Sequence, residues 1–374
     1  MEIDWNKWQN FVKHLDKSYN TIVFDSITKE KEEDEEMAKK IDWNEKAKQE
    51  LLSKAQAMNR NCPTLVANGR NLTEMYLSGK LDPCYHRNEV ITAIQKILLR
   101  KSKANVLLTG PAGCGKTAIA EGLTAILAER DMPRQAEILR LKAEYTTAYR
   151  KWQKAQDKAW GNGEYFNEPA PVEPTYPAET LLSNTIIFEL SLTAMTAGTK
   201  YRGEFEEKVQ QVIEECRRYP NVILFIDEIH QIISAGASDN SDNCAQMLKP
   251  ALARREIRCI GATTTEESAY IWKDKALARR FNEVKVVPLT GACAVDTAYN
   301  IMTDYCQYHG VNTTASATEI LDKIIYFLPT TVFPDNFINI VDETLAGAKY
   351  DGRTEVDMSD FNATLSRMAG VVIV

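Results

Sequence analysis

One motif constrains the fold of this 374-residue chain more than any other: Gly110-Pro111-Ala112-Gly113-Cys114-Gly115-Lys116-Thr117. It follows an apolar run and precedes a stretch of helical periodicity over residues 117–130. A glycine-rich turn between a buried strand and a helix lets backbone N–H groups surround phosphates at the positive end of the helix dipole. We therefore expect phosphate binding here, with Lys116 reaching the β- and γ-phosphates and the Thr117 hydroxyl binding Mg²⁺. The flanking strand and helix disfavour a chance glycine turn.

Short apolar runs typical of buried strands alternate with helical patterns around this motif. The runs are Asn105–Thr109, Thr185–Leu190, Val222–Ile226, Arg258–Ala262 and Glu283–Val287. Strands that alternate with helices predict an α/β core, here a five-stranded parallel sheet between helices. Beyond about Thr290 the strand pattern stops and helical periodicity continues, which predicts an all-helical lid subdomain.

The chain divides into three predicted segments. Residues 1–63 form a helical acidic N-terminal extension, and its charge run at residues 30–36 is typical of a solvated helix face or linker. Residues 64–290 form the nucleotide-binding core, with an insertion at about 134–180. Residues 291–374 form the lid and a connector-like segment.

The insertion at 134–180 has two parts. The first carries a heptad-like apolar stripe, whose members are Ile138, Leu141, Tyr145, Ala148, Trp152, Ala155 and Ala159. The second is proline-rich and extended. Two interpretations stay open: the stripe packs the helix on its own domain, or the insertion is an arm that docks a partner.

Two acids end the run Val222–Ile226. A buried strand would bring Asp227 to the Mg²⁺ shell at the carboxyl edge of the sheet, where open α/β sheets bind their ligands. Glu228 is then placed to polarise the attacking water, the step that separates a hydrolase from a nucleotide binder. The sequence therefore predicts ATP hydrolysis with Glu228 as a catalytic residue.

Two further positions complete the predicted catalytic set. Thr264 follows the next apolar run and can orient water or sense the γ-phosphate; without the other motifs, a simple strand terminus would be the better interpretation. Arg279 and Arg280 precede the last strand, where a guanidinium can neutralise charge on the γ-phosphate of a neighbouring subunit. The similar pair Arg254-Arg255 comes before the Thr264 strand, so position favours residues 279 and 280.

Composition limits the function classes. The formal net charge is −7, which disfavours a dedicated duplex-DNA binder. No run approaches the ~18 apolar residues of a membrane helix, and the acidic start Met1–Trp5 disfavours a secretory signal. The eight cysteines form no C-x-x-C pair. A reducing, cytoplasmic location is expected.

The order of these motifs resembles that of AAA+ ATPases. Finer matches resemble the first ATPase module of the Clp family of hexameric protein unfoldases and disaggregases; they are Gly79–Pro83, Lys116–Leu123, Ala197–Glu207, Phe225–His230 and Leu248–Arg254. The resemblance implies a homo-oligomeric ring, expected to be a hexamer, with ATP between subunits and an unfolded or partly folded protein as substrate. Neither the family's N-terminal repeats nor a second P-loop is found in this sequence, so a single ring is expected.

The resemblance also implies a substrate loop. In such proteins a Lys-Tyr-Arg-Gly loop projects into the central pore and grips polypeptide, which corresponds to Lys200, Tyr201 and Arg202 here. A tyrosine between basic residues could equally stack on single-stranded nucleic acid. A nucleic-acid-associated loader and a nucleotide-dependent scaffold therefore stay as alternatives, and the acidic net charge favours polypeptide.

Two departures from the family pattern concern nucleotide recognition. Where the family carries Ile-Gly-Arg on the adenine side, this chain has Tyr85-His86-Arg87. Where the lid carries Pro-Asp-Lys, this chain has Pro334-Asp335-Asn336, which removes a positive charge.

Overall fold

The computed structural model describes residues 41–196, 202–231, 250–252 and 256–373. The chain divides into two compact units, one of residues 48–135 and 177–374 and the other of residues 1–47 and 136–176. The helices and strands, in chain order, are α1 (Trp43–Asn61), α2 (Pro63–Ala67), β1 (Gly69–Asn71), α3 (Leu72–Leu77), α4 (Asn88–Leu98), β2 (Asn105–Thr109), α5 (Lys116–Gly161), β3 (Ile186–Leu190), α6 (Leu192–Thr196), α7 (Arg202–Arg218), β4 (Val222–Ile226), β5 (Arg258–Thr263), α8 (Ser268–Lys273), α9 (Lys275–Ala278), β6 (Phe281–Lys285), α10 (Gly291–His309), β7 (Asn312–Thr313), α11 (Ala317–Phe327), α12 (Asp335–Tyr350), β8 (Glu355–Val356) and α13 (Met358–Ala369).

The main sheet has the strand order β1-β3-β4-β5-β2-β6. Strands β2 to β6 pair in parallel, which confirms the predicted five-stranded parallel sheet, and the short β1 adds an antiparallel edge that the prediction lacked. The last strand begins at Phe281, two residues before the predicted start at Glu283. Phe281 is buried and pairs with Asn105, whereas Val287 at the predicted end is exposed.

Alternate residues of each central strand enter the cores on opposite faces of the sheet. On one face Leu224 of β4 packs in a cluster with Leu107 of β2. On the other face Ile223 packs in a cluster with Val106 and Leu108. Burial on both faces explains why these strands are continuously apolar, and why they were recognisable from sequence.

Part of the predicted N-terminal extension belongs to this core. Leu51, Ala55 and Cys62 are buried in the same cluster as Phe188 and Leu224 of the sheet. The predicted boundary at residue 63 therefore does not coincide with a break in packing. The boundary was placed by composition, and the many polar residues on the outer face of α1 outweighed its apolar stripe.

A second core holds the C-terminal helices together. Ala298 of α10, Ile320 of α11, Phe337 of α12 and Phe361 of α13 are buried in one cluster, as predicted for a helical lid subdomain. One small addition was not predicted: the two-residue strands β7 and β8 form a parallel pair. Asp357 caps α13, and its side chain and that of Asp360 form a capping box.

The helical pattern predicted over 117–130 and the apolar stripe of the insertion lie on one continuous helix. Helix α5 runs without interruption from Lys116 to Gly161 and contains Pro133. Proline has no backbone N–H, so Pro133 removes one helical hydrogen bond, yet the helix continues on both sides of it.

Within the unit of residues 136–176, the proline-rich segment folds back along the helix. The indole Nε1 of Trp152 donates to the carbonyl oxygen of Glu168 at 2.9 Å, and its ring meets Phe166 edge-on at 5.7 Å. Lys142 Nζ lies 5.7 Å from the ring centroid of Tyr176. The apolar stripe is thus partly covered by its own insertion, while Trp160 and Tyr165 remain exposed. Partner docking at this insertion stays a prediction.

A helix that crosses a bilayer needs about 20 mostly apolar residues. None of the helices within the described ranges meets that requirement.

Candidate nucleotide-binding site

The glycine-rich turn lies at the carboxyl edge of the sheet, between the end of β2 and the start of α5. Gly113 and Gly115 have φ angles of +75° and +88°, which side chains other than glycine rarely adopt. At Gly110 a Cβ atom would lie 2.2 Å from the carbonyl oxygen of Val286, so only glycine fits there. The turn therefore brings a run of backbone N–H groups close to one point.

Lys116 is buried, and its ammonium group is held over this turn. Its Nζ donates to the carbonyl oxygens of Gly110 at 3.0 Å and Pro111 at 2.9 Å. The adjacent Cys114 is also buried, and burial raises the pKa of its thiol. A lysine ammonium beside a turn of backbone N–H donors is an arrangement that binds phosphates.

Strand β4 delivers Asp227 to the start of α5. The Thr117 hydroxyl donates to Asp227 Oδ2 at 2.7 Å, and the backbone N–H of Glu228 donates to Oδ1 at 2.9 Å. A hydroxyl and a carboxylate at this separation are the hard oxygen donors that Mg²⁺ prefers, so the residues fit the predicted ion.

Glu228 follows directly, with its backbone at a φ of 50°, in the left-handed region. This uncommon conformation turns its carboxylate away from the axis of β4. Burial raises the pKa of Glu228, the charges of Asp227 and Glu267 raise it further, and the nearby His230 opposes them. Glu228 is therefore a partly desolvated carboxylate beside the phosphate-binding turn, which suits a general base.

Three polar residues lie close to Glu228. One is the predicted Thr264, and the other two, His230 and Glu267, were not predicted as site residues. Thr264 Oγ1 donates to Glu267 Oε2 at 2.7 Å. His230 Nδ1 lies 3.3 Å from that same oxygen and 3.3 Å from Glu228 Oε2. His230 belongs to a string that resembles the Clp family, and this was the available signal, whereas nothing in the sequence singled out Glu267.

A pocket of about 180 Å³ lies between the P-loop, residues 82–87 and the helices of the lid. Arg87, another residue that was not predicted, is buried and donates to the carbonyl oxygens of Cys114 and Val287, both at 2.8 Å. The pocket opens beside Gly115 and Ala118, next to the phosphate-binding turn.

Tyr85 and His86, the residues that depart from the family pattern, make side-chain contacts with the lid. Tyr85 donates to Asp304 Oδ2 at 2.7 Å, and His86 Nε2 lies 2.6 Å from Asp296 Oδ2. His86 has a φ of 52°, a conformation that glycine, the family's residue here, adopts without strain.

Asn336 does not take over the role of the lysine that the family carries. Its side chain is buried, and its Nδ2 donates to Thr331 Oγ1 at 3.0 Å.

Arg279 and Arg280 do not lie near the phosphate-binding turn of their own chain. They immediately precede β6, whose first residue pairs with Asn105, whereas the P-loop follows Thr109 at the other end of β2. At ~3.3 Å per residue, the four steps from Asn105 to Thr109 separate these two ends of β2 by about 13 Å. The predicted arginines therefore lie at the sheet edge opposite the Lys116 turn of their own chain.

The predicted substrate loop lies largely outside the described residues. Lys200 and Tyr201 are not among them, and Arg202 is described only as the first residue of α7.

Comparisons with known proteins agree with this geometry. The model of the ATPase family associated with various cellular activities (AAA) matches residues 174–289, and that of magnesium chelatase, subunit ChlI, matches residues 96–162. The chloroplastic chaperone protein ClpC2 of Arabidopsis thaliana is 36% identical over 76% of this chain and 25% of its own length.

Two solved structures of Hsp104 from S. cerevisiae share the fold. The Hsp104–ADP complex has a TM-score of 0.62 and 28% identity, over 82% of this chain and 46% of that chain. The Hsp104–casein complex in an extended conformation has a TM-score of 0.60 and 27% identity, over 82% and 45%. The chain thus spans less than half the length of these relatives. With its P-loop, its Asp-Glu strand end and its helical lid, it belongs to the Clp family of AAA+ ATPases, as a single ATPase module.

Proposed function

We propose that this ATPase module couples ATP hydrolysis to the unfolding, translocation or remodelling of protein substrates through a central pore. The observation that carries the proposal is the contact between Thr117 and Asp227, with Glu228 next in sequence. This contact places the partly buried carboxylate of Glu228 next to the phosphate-binding turn. That combination supports hydrolysis as well as binding.

Each residue has a defined task in the proposed reaction. Backbone N–H groups of residues 110–115 and the ammonium of Lys116 bind the phosphates. Thr117 and Asp227 would hold Mg²⁺, which supplies charge neutralisation at the β- and γ-phosphates. Glu228 accepts a proton from the attacking water, and Thr264 contacts the γ-phosphate.

The roles proposed for Arg279 and Arg280 require a second copy of the chain. Arg279 and Arg280 precede β6 at the edge of the sheet that faces away from the Lys116 turn. We infer that they stabilise the γ-phosphate charge in an adjacent subunit, so the functional unit is a homo-oligomeric ring, expected to be a hexamer.

Protein is the proposed substrate, bound by Lys200, Tyr201 and Arg202. Support comes from the loop's resemblance to the Clp pattern and from the related Hsp104 structure, which is a complex with casein. A nucleic-acid loader is the alternative that the same loop allows, and a scaffold that docks partners at 134–180 is another. A cytoplasmic location stays a prediction, since one relative is chloroplastic.

The test uses a Tyr201→Ala variant and a matched Tyr165→Ala control, since Tyr165 is 91% exposed on the insertion. We expect Tyr201→Ala to keep ATPase activity and to lose unfolding of a fluorescent protein with an unstructured tail. The control should retain both activities. Unchanged unfolding by Tyr201→Ala would exclude threading, and ATPase stimulation by single-stranded DNA but not by unfolded protein would favour the loader.

A further inference from the structure

Three atoms of the kind that bind metal ions converge beside the end of β4. They are Glu228 Oε2, His230 Nδ1 and Glu267 Oε2, and all three lie within 4.8 Å of one another. Among the residues that the structure describes, no other group of three histidine, cysteine, aspartate or glutamate side chains is placed in this way. His86 and His309, in contrast, are each paired with a single aspartate. We call Glu228, His230 and Glu267 the Glu-His-Glu cluster.

The spacing of the three atoms suits a tetrahedral ion. Ligand atoms that lie about 2.0–2.1 Å from a tetrahedral Zn²⁺ are about 3.3 Å from one another. His230 Nδ1 is 3.3 Å from Glu228 Oε2 and 3.3 Å from Glu267 Oε2. The imidazole is buried, whereas the two carboxylate side chains are 43% and 35% exposed. The carboxylates can therefore turn towards an ion while the imidazole stays in place.

Neighbouring groups hold the ligands of the cluster together. The backbone N–H of Ile229 donates to the carbonyl oxygen of Ala262 at 2.9 Å, which docks the turn of residues 227–230 onto β5. The Thr264 hydroxyl donates to Glu267 Oε2 at 2.7 Å and leaves a second lone pair of that oxygen for an ion. Hydrogen bonds of this kind orient metal ligands and strengthen the binding of the ion.

His230 Nδ1 already has one hydrogen-bond partner. This partner is Thr263 Oγ1, which lies 2.9 Å away and belongs to a fully buried residue at the end of β5. A neutral imidazole nitrogen uses the same lone pair to accept a hydroxyl hydrogen or to bind a metal ion. An ion at the cluster therefore replaces a hydrogen bond between two neutral groups by a bond to a dication.

The donor set indicates which ion fits the cluster. One imidazole nitrogen and two carboxylate oxygens suit Zn²⁺, whereas Mg²⁺ prefers an octahedral shell of oxygens that includes several waters. Two ionised carboxylates and a neutral imidazole also balance the charge of a divalent ion. Thr117 and Asp227 offer oxygen alone and remain the expected Mg²⁺ ligands.

We propose that the Glu-His-Glu cluster is a Zn²⁺ site and that Zn²⁺ bound there inhibits ATP hydrolysis. An ion on Glu228 Oε2 neutralises the carboxylate and fixes its position, so Glu228 can no longer accept a proton from the attacking water. The P-loop takes no part in the cluster, so ATP binding persists. The site itself follows from the geometry of the three side chains, whereas the inhibition rests on the proposed role of Glu228 as the general base.

The first experiment measures binding to the nucleotide-free protein with Co²⁺, a spectroscopic substitute for Zn²⁺. We expect visible absorption bands typical of a four-coordinate ion, which added Zn²⁺ abolishes. His230→Gln and Glu267→Gln should each lower the affinity about tenfold or more. The matched control His309→Gln should not, since that histidine has one aspartate partner. Thiolate-to-cobalt bands that persist in His230→Gln would place the ion on cysteines and overturn the proposal.

Thr263→Val separates metal ligation from a general disturbance around His230. Valine keeps the shape of the side chain but has no hydroxyl to compete for Nδ1, so the affinity for Zn²⁺ should be retained or rise. A loss as large as that of His230→Gln would mean that both variants act through packing, and the cluster would not be a metal site. Circular dichroism checks the fold, and Glu267→Gln, at a partly exposed side chain, decides the question if a variant at a buried position does not fold.

The second experiment measures inhibition. Each protein's ATPase rate with Zn²⁺ is divided by its own rate in excess Mg²⁺ alone. Zn²⁺ that fills the site should slow the original protein about tenfold or more, because it removes the general base, and should barely slow His230→Gln. Equal inhibition of the two proteins would place the inhibitory ion elsewhere, for example on ATP, and would refute the inhibitory site.

A Glu228→Gln variant distinguishes failure of the metal site from failure of the proposed function. If this variant hydrolyses ATP at the original rate, Glu228 is not the base, and the proposed inhibition falls while the Co²⁺ spectrum still reports the site. If Glu228→Gln is inactive but Co²⁺ binds the original protein and His230→Gln equally well, the base is supported and the metal site is wrong.

Discussion

Thr117 and Asp227 are 110 residues apart in sequence, yet their side chains meet in a 2.7 Å hydrogen bond. Two separate local signals, a glycine-rich turn and an apolar strand that ends in acids, thus converge on one pair of oxygen atoms. Because the pair stands where both parallel strands end, the sheet itself sets the distance. The following predictions test what this arrangement does.

Glu228→Gln should lower the ATPase rate about a hundredfold or more, because an amide cannot accept the proton of the attacking water. ATP binding should persist, since Lys116 and the P-loop are unaltered. We expect the variant to shift in size on adding ATP, to about six copies, as measured by light scattering after gel filtration. Hydrolysis at full speed by a lone monomer would contradict a site shared between subunits.

Arg280→Ala should bind ATP normally and hydrolyse it poorly, because the residue lies at the sheet edge opposite the turn of its own chain. Lys116→Ala should fail to bind ATP but still present intact arginines. Mixed rings of the two variants should therefore recover part of the ATPase activity. If mixing restores nothing, Arg280 does not act across a subunit boundary.

Gly110→Ala should disrupt the fold around the P-loop, since the added methyl would lie 2.2 Å from the backbone oxygen of Val286. We expect a loss of more than about 2 kcal/mol in the free energy of unfolding by urea. Gly161→Ala is the matched control, because its Cβ meets nothing within 4 Å and should change stability by less than about 0.5 kcal/mol. Equal effects at the two positions would argue against the close approach at Gly110.

Burial raises the pKa of the Cys259 thiol from its ordinary value of 9.0 to about 12. Below pH 9 the Cys259 thiol is protonated in both the folded and the unfolded chain. Its contribution to the free energy of unfolding is therefore independent of pH there and is fully present. As pH rises from 9 towards 12 the unfolded thiol ionises first, and stability should fall by up to about 1.4 kcal/mol per pH unit.

Urea unfolding between pH 8 and 10.5 measures this slope. Cys259→Ala should make the slope shallower, while the other thiols whose pKa burial raises, such as Cys62 and Cys84, keep their share of it; Cys293→Ala, at an exposed thiol, should leave the slope unchanged. An identical slope in the Cys259 variant would show that its ionisation is not linked to folding.

The sequence predicted the sheet well because its strands are buried on both faces and flanked by turns. It also predicted residues 110–117, Asp227, Glu228 and Thr264 as neighbours, since each follows a strand and parallel strands end at one edge. It could not predict Arg87 or Glu267, because their roles depend on contacts with the carbonyl oxygens of Cys114 and Val287 and with His230.

Other failures have local causes. The helical pattern was predicted over 117–130 and an insertion from about residue 134, but α5 continues through this boundary to Gly161. The boundary at residue 63 was placed by composition, whereas Leu51 and Ala55 pack in the same core as the sheet. Composition describes the solvent-facing side chains of a helix as much as its buried stripe, so it locates such boundaries poorly.

The bonds of Tyr85 and His86 to the lid have a mechanical consequence. Their partners Asp304 and Asp296 are spaced along α10 by about 12 Å, just over two turns of the helix. Two contacts at different heights resist tilting of the Tyr85-His86 segment against α10, which a single contact would allow. A displacement of α10 should therefore carry along the segment that borders the pocket beside Gly115, unless both contacts break.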